Sequence, residues 1–106
     1  MSQQQPQNVR DRLVKVGLAE LNTYGPKDFS VRRVAASCGV SCAAPYKHFQ
    51  NKSEFLAAII QYANEQWTRR QQRIMRSTAA STREKLVLIC KDYIKFLVEN
   101  PYLRSL

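Results

Sequence analysis

Apolar residues recur at helical spacing along most of this chain. Val9, Leu13, Val16 and Leu21 fall on one side of a helix expected over residues 9–24, with Arg10, Arg12 and Lys15 on the other. Val14, Gly17 and Leu18 widen the stripe, as suits a helix packed on more than one neighbour. Asn8 after Pro6 supplies its N-cap, and Gly25 followed by Pro26 its stop. Ser30 caps a second helix, in which Val31, Val34, Ala35 and Cys38 recur at i, i+3, i+4 and i+7. Gly39 ends it, because glycine takes a left-handed C-terminal position at little cost. A very short third helix is expected from near Ser41 to near His48. Pro45 falls at about its fourth position, where a missing N–H forfeits at most one hydrogen bond, so this helix must start close to Cys42.

Asn51-Lys52-Ser53-Glu54 resembles a capping box and opens a long helix reaching about Arg76, with Leu56, Ile60, Ala63, Trp67 and Ile74 as its expected apolar stripe. Ser77 to Ser81 reads as a small-residue linker. Ser81-Thr82-Arg83-Glu84 is a second capping box, starting a helix to about Glu99 that Asn100-Pro101 breaks. That helix is apolar on much of its circumference, from Leu86 to Val98, and so expects neighbours; a further segment begins at Tyr102. Alternating β-branched runs are missing and Gly and Pro are scarce, at 3 and 4, so the fold class is all-α.

Composition narrows the class less than the pattern does. The charge is +9, carried evenly: residues 1–52 hold 8 basic and 3 acidic side chains, and residues 53–106 hold 9 and 5. Such a surplus attracts polyanions without locating the site. The Gln-rich Met1 to Asn8 stretch reads as a disordered lead-in, not a secretory signal, and no run is long enough to span a bilayer, so a cytoplasmic protein is expected. Three cysteines, none in a C-x-x-C pair, argue against a disulfide framework. One histidine, no paired carboxylates, no Gly-rich phosphate loop and no nucleophile constellation argue against an enzyme. No cofactor and no metal site is expected; Cys38 belongs to a buried stripe while Cys42 lies beyond the turn, so the two do not converge with His48.

Residues 31 to 50 satisfy the steric demands of a helix-turn-helix. A small residue, Ala35, stands where the helices cross. Gly39 stands in the turn four positions on, and apolar Val34, Cys38, Val40 and Phe49 bracket both. Ser30-Val31-Arg32-Arg33-Val34-Ala35, Gly39-Val40-Ser41, Tyr46-Lys47-His48-Phe49 and Lys52-Ser53-Glu54-Phe55-Leu56 follow in order after Gly25. With these motifs, residues 9–60 resemble the N-terminal domain of the TetR/AcrR family of transcriptional regulators. The resemblance implies a homeodomain-like three-helix DNA-binding domain, a long connecting helix, and the first helix of a helical regulatory domain. The corresponding boundaries are 1–8 for the lead-in, 9–76 for the DNA-binding domain with its connecting helix, and 77–106 for the start of a ligand-binding and dimerisation domain. It further implies that Ser41, Cys42, Ala44 and Lys47 lie nearest the base edges. Tyr46, His48 and Lys52, with Ser30 and Arg32 of the second helix, would meet the phosphate backbone. Hydroxyls, ammonium groups and helix N-termini suit phosphate oxygens physically. The implied partners are double-stranded DNA with a palindromic operator, a small-molecule effector and a second copy of the chain, and the implied activity is repression lifted by the effector.

Cys42, Ala43, Ala44 and Pro45 make a bland groove surface, in which Lys47 alone offers a strong base contact, to guanine O6/N7, and Ala44 could meet a thymine methyl. Arg69, Arg70, Arg73 and Arg76 form the densest basic cluster. A solvated helix face is its plain reading, and a module binding RNA or an anionic membrane is the alternative function. Phe49, Trp67 and Cys90 are expected in the core, and Tyr46 is expected to face DNA.

Overall fold

The computed structural model describes residues 8–77 and 79–101, all helices and connecting turns. The expected lead-in before Asn8 and the segment from Tyr102 lie outside the described residues, as does Thr78 in the linker. In order come α1 (Val9–Asp28), α2 (Val31–Ser37), a 3₁₀ turn (Ala44–Lys47), α3 (Lys52–Arg76) and α4 (Thr82–Glu99).

Local chemistry explains each boundary. Asn8 caps α1, its side chain accepting from the Asp11 N–H at 2.8 Å. Gly25, at φ 81°, interrupts α1 where the sequence places its stop, and Pro26 to Asp28 add one more turn beyond the kink. Ser30 caps α2 by accepting from the Arg33 N–H at 3.1 Å. At its other end, Val40 N–H reaches Ala35 C=O at 3.0 Å and Gly39 N–H reaches Ala36 C=O at 3.1 Å. With Gly39 at φ 71°, this is a Schellman termination.

The third helix differs from expectation. It is a single 3₁₀ turn starting at Ala44, not an α-helix starting near Ser41. Ala44, Tyr46 and His48 N–H groups bond to the carbonyls of Ser41, Ala43 and Pro45, three residues back in each case. Pro45 lacks the N–H that would reach Ser41, and its ring disfavours the α conformation at Ala44, so the backbone tightens instead.

Three helices share one core. Leu13 and Leu21 of α1, Val34 of α2 and Ile59 of α3 are fully buried, joined by Val14, Phe29, Cys38, Phe49 and Phe55. Each such side chain contributes about 1.5–3 kcal/mol through burial. The buried stripe of α3 is Phe55, Ile59 and Ala63, not Leu56, Ile60 and Trp67. Leu56 packs only partly against the core, and Ile60 lines a shallow outer groove with Ala57, Gln61 and Asn64. Adjacent apolar ridges run down this helix, and α1 engages the one centred on Ile59. α4 leans on the far half of α3, where the Trp67 ring lies 5.8 Å from Phe96 and 5.4 Å from Tyr93. Trp67 is therefore half-buried. Cys90, expected in the core, is exposed instead, beside Ile89 and Ile94 on an open apolar face.

Candidate nucleic-acid interface

The 3₁₀ turn stands on an aromatic base. Phe49, just after it, stacks on Phe55 of α3 with centroids 4.6 Å apart. Phe29, just before α2, meets the same Phe55 edge-on at 5.6 Å. One α3 side chain thus pins both flanks of the segment that runs through α2 and the turn. Such pairs add about 0.5–1.5 kcal/mol each beyond their burial. Within the turn Pro45 is buried, while Tyr46, Lys47 and His48 in succession are exposed, Tyr46 at 54%.

The remaining residues singled out from the sequence lie on the approach to this turn, at the start of α2 and at the start of α3. Ser41 and Cys42 are exposed on its approach and Ala44 is half-buried at its start. Arg32 is exposed on α2. Ser30 is half-buried, its hydroxyl occupied as acceptor in the N-cap and its N–H donating to Glu20 at 3.1 Å. Lys52, half-buried at the start of α3, holds its ammonium 5.9 Å from the Phe29 ring centroid. At the same helix start Asn51 accepts from Glu54 N–H at 2.9 Å, and the Glu54 carboxylate accepts from Gln50 N–H at 3.3 Å rather than closing the box on Asn51.

Two groups near this surface escaped the sequence reading. Arg10 of α1 sets its guanidinium 5.2 Å from the Phe49 ring centroid, adding a cation beside the turn. Glu20 is 9% exposed on the inner side of α1, where it binds Ser30 and Arg33. Its only sequence signal is its position seven residues after Leu13, an acid in the buried register. The guanidinium of Arg33 is held in its charged form, its pKa raised by the hydrogen bonds it donates to the Glu20 carboxylate. Cys38 is the one cysteine in the core, and desolvation pushes its thiol above the ordinary range. Among the described residues no cluster of His, Cys, Asp or Glu could hold a metal ion.

A capped helix, a glycine turn and a short exposed basic turn on a rigid base define a helix-turn-helix DNA-binding protein. Residues 13–59 match the family described as bacterial regulatory proteins, tetR family, which supports reading this segment as a TetR-type N-terminal DNA-binding domain. No curated protein and no solved structure matches the chain. No helix among the described residues is long and apolar enough to cross a membrane.

Proposed function

We propose that the 3₁₀ turn enters the major groove of duplex DNA, with Lys47 making the main base contact and Ser41, Cys42 and Ala44 lying against base edges. Tyr46, His48 and Lys52, together with Ser30 and Arg32, hold the flanking phosphates and set the register. The observation that carries this reading is the exposure of Tyr46, Lys47 and His48 in succession between two buried anchors, Pro45 and Phe49. Side chains so placed are presented on a backbone that packing does not let move. The same protein acts in the cytoplasm as a repressor, is not an enzyme, and leaves a palindromic operator when a small-molecule effector binds. In this division 9–76 is the reading domain with its connecting helix, and 77–106 begins the part that binds effector and pairs two copies. Two half-sites about 34–36 Å apart then require the homodimer.

A salt titration of duplex binding tests the docking. Lys52→Ala should flatten the dependence of log K on log salt by about 0.9, the release of one phosphate's counterions. Tyr46→Phe should weaken binding about tenfold, since a hydrogen bond to a charged group is worth about 1.5 kcal/mol or more, with the slope kept. Replacing Arg69, Arg73 and Arg76 should cost less than either. If those three arginines carry the binding and Lys52 and Tyr46 carry none, the interaction-module reading replaces this one.

A further inference from the structure

α2 begins with two adjacent arginines that meet opposite fates. Arg32 is exposed, whereas Arg33 is tied down on three sides. Its Nε and Nη2 donate to Glu20 Oε2 at 2.9 and 2.6 Å, and Nη2 also donates to Asp28 C=O at 2.7 Å. Its guanidinium carbon lies 3.8 Å from the Tyr24 ring centroid. Glu20 is the inner partner, with 8% of its side chain exposed against 46% for Arg33. The oxygen that takes both Arg33 donors also accepts the Ser30 N–H, so one buried carboxylate holds the cation and the first residue of the α2 cap together. Arg33 therefore sits beside Ser30 and Arg32 at the proposed phosphate-facing end of α2, with enough exposed surface to reach outward if let go.

We propose that Glu20 is a positioning residue for DNA docking that acts as an internal counter-ion, keeping Arg33 off the phosphate backbone. The inference rests on the docking reading above. A cation free at that place would add a phosphate contact, and phosphate contacts carry no sequence information. Neutralising it inside the fold limits non-specific binding, in a chain of charge +9, while leaving Arg32 available.

The test uses the full chain and a random-sequence DNA duplex, with binding followed across a salt series. Glu20→Gln keeps an acceptor for Ser30 N–H but loses the charge that holds Arg33. Non-specific affinity should rise, and the slope of log K against log salt should steepen by about 0.9. Arg33→Gln should leave the wild-type slope unchanged, because Arg33 makes no phosphate contact to lose, and the double variant should return to that slope. A role confined to folding would weaken binding and could not steepen the slope. An unchanged slope in a folded Glu20→Gln variant overturns the proposal, as does a slope flattened by about 0.9 in Arg33→Gln. Arg33→Gln decides alone if Glu20→Gln does not fold, as judged by circular dichroism. Duplex binding that is indifferent to Lys52→Ala and Tyr46→Phe sinks the docking reading itself, and this inference with it.

Discussion

Gly17 marks the closest approach of α1 to α3. A Cβ at this position would lie 2.6 Å from Ile59 Cδ1, 3.1 Å from Ile59 Cγ1 and 3.4 Å from Phe55 Cε1. Ile59 is fully buried and β-branched, so its end cannot swing away freely. Alanine would gain about 1 kcal/mol of helix propensity over glycine, but overpacking costs about 1–3 kcal/mol. Gly17→Ala should therefore destabilise the fold by about 1 kcal/mol in chemical denaturation. Ile59→Val alone should cost about 0.5–1.5 kcal/mol by leaving a small void. Because Val lacks the clashing Cδ1, the two changes together should cost less than their sum. Strict additivity would show that the close approach is not what excludes a side chain at Gly17. The contact matters for the proposed function because Phe55, which carries the aromatic base of the exposed turn, lies on the same seam.

At the scale of elements, what could be read in advance was what neighbouring residues decide. Asn8, Ser30, Asn51 and Ser81 all serve as N-caps, since a cap needs only its own side chain and an N–H three residues on. Gly25 and Gly39 break helices for an equally local reason, their positive φ. Legibility fails where distant residues choose. Which apolar ridge of α3 faces inward depends on α1, so the buried pair is Phe55 and Ile59, one residue away from Leu56 and Ile60. Glu20 and Arg33 are thirteen positions apart, and nothing near either residue announces the pair. At the site, the motif placed the exposed turn, but Pro45 acts through backbone geometry, turning the expected α-helix into 3₁₀. The cap of α4 is also a pH-sensitive element. Glu84 accepts the Ser81 N–H at 2.9 Å, which lowers its pKa below the ordinary value of about 4.3. A depressed carboxylate contributes stability above its unfolded pKa and loses it as pH falls through the native one. Protection of the first-turn amides of α4, measured by hydrogen exchange corrected for intrinsic rates, should thus decline below about pH 4.3. In Glu84→Gln the same amides should show no such step. A step of equal size in both proteins would assign the acid sensitivity elsewhere.

The molecule as a whole divides at the joint between α3 and α4. The core cluster of Leu13, Leu21, Val34, Phe49, Phe55 and Ile59 contains no residue of α4. α4 instead rests on Trp67 through Phe96 and Tyr93, on the Arg70–Asp92 ion pair at 3.1 Å, and on one hydrogen bond to α1, from Asn22 Nδ2 to Asn100 Oδ1 at 2.9 Å. Much of its remaining surface is apolar and open, with Leu86 59%, Ile94 61% and Val98 72% exposed. An element with so few buried partners should open before the rest unfolds. Asn100 is the critical residue of the joint, because its amide also caps α4 by donating to Phe96 C=O at 2.9 Å. Asn100→Ala therefore cuts the tie to α1 and loosens the end of α4 in one step. Native-state hydrogen exchange should show the opening free energy of α4 amides falling by about 1–3 kcal/mol, the net worth of the two side-chain hydrogen bonds lost. Amides of α1 to α3 should keep theirs. Phe96→Ala, which removes a 7% exposed ring from between the helices, should lower α4 protection further and still spare Val34 and Ile59. If either substitution lowers every amide equally, α4 and the core of α1 to α3 unfold as one cooperative unit.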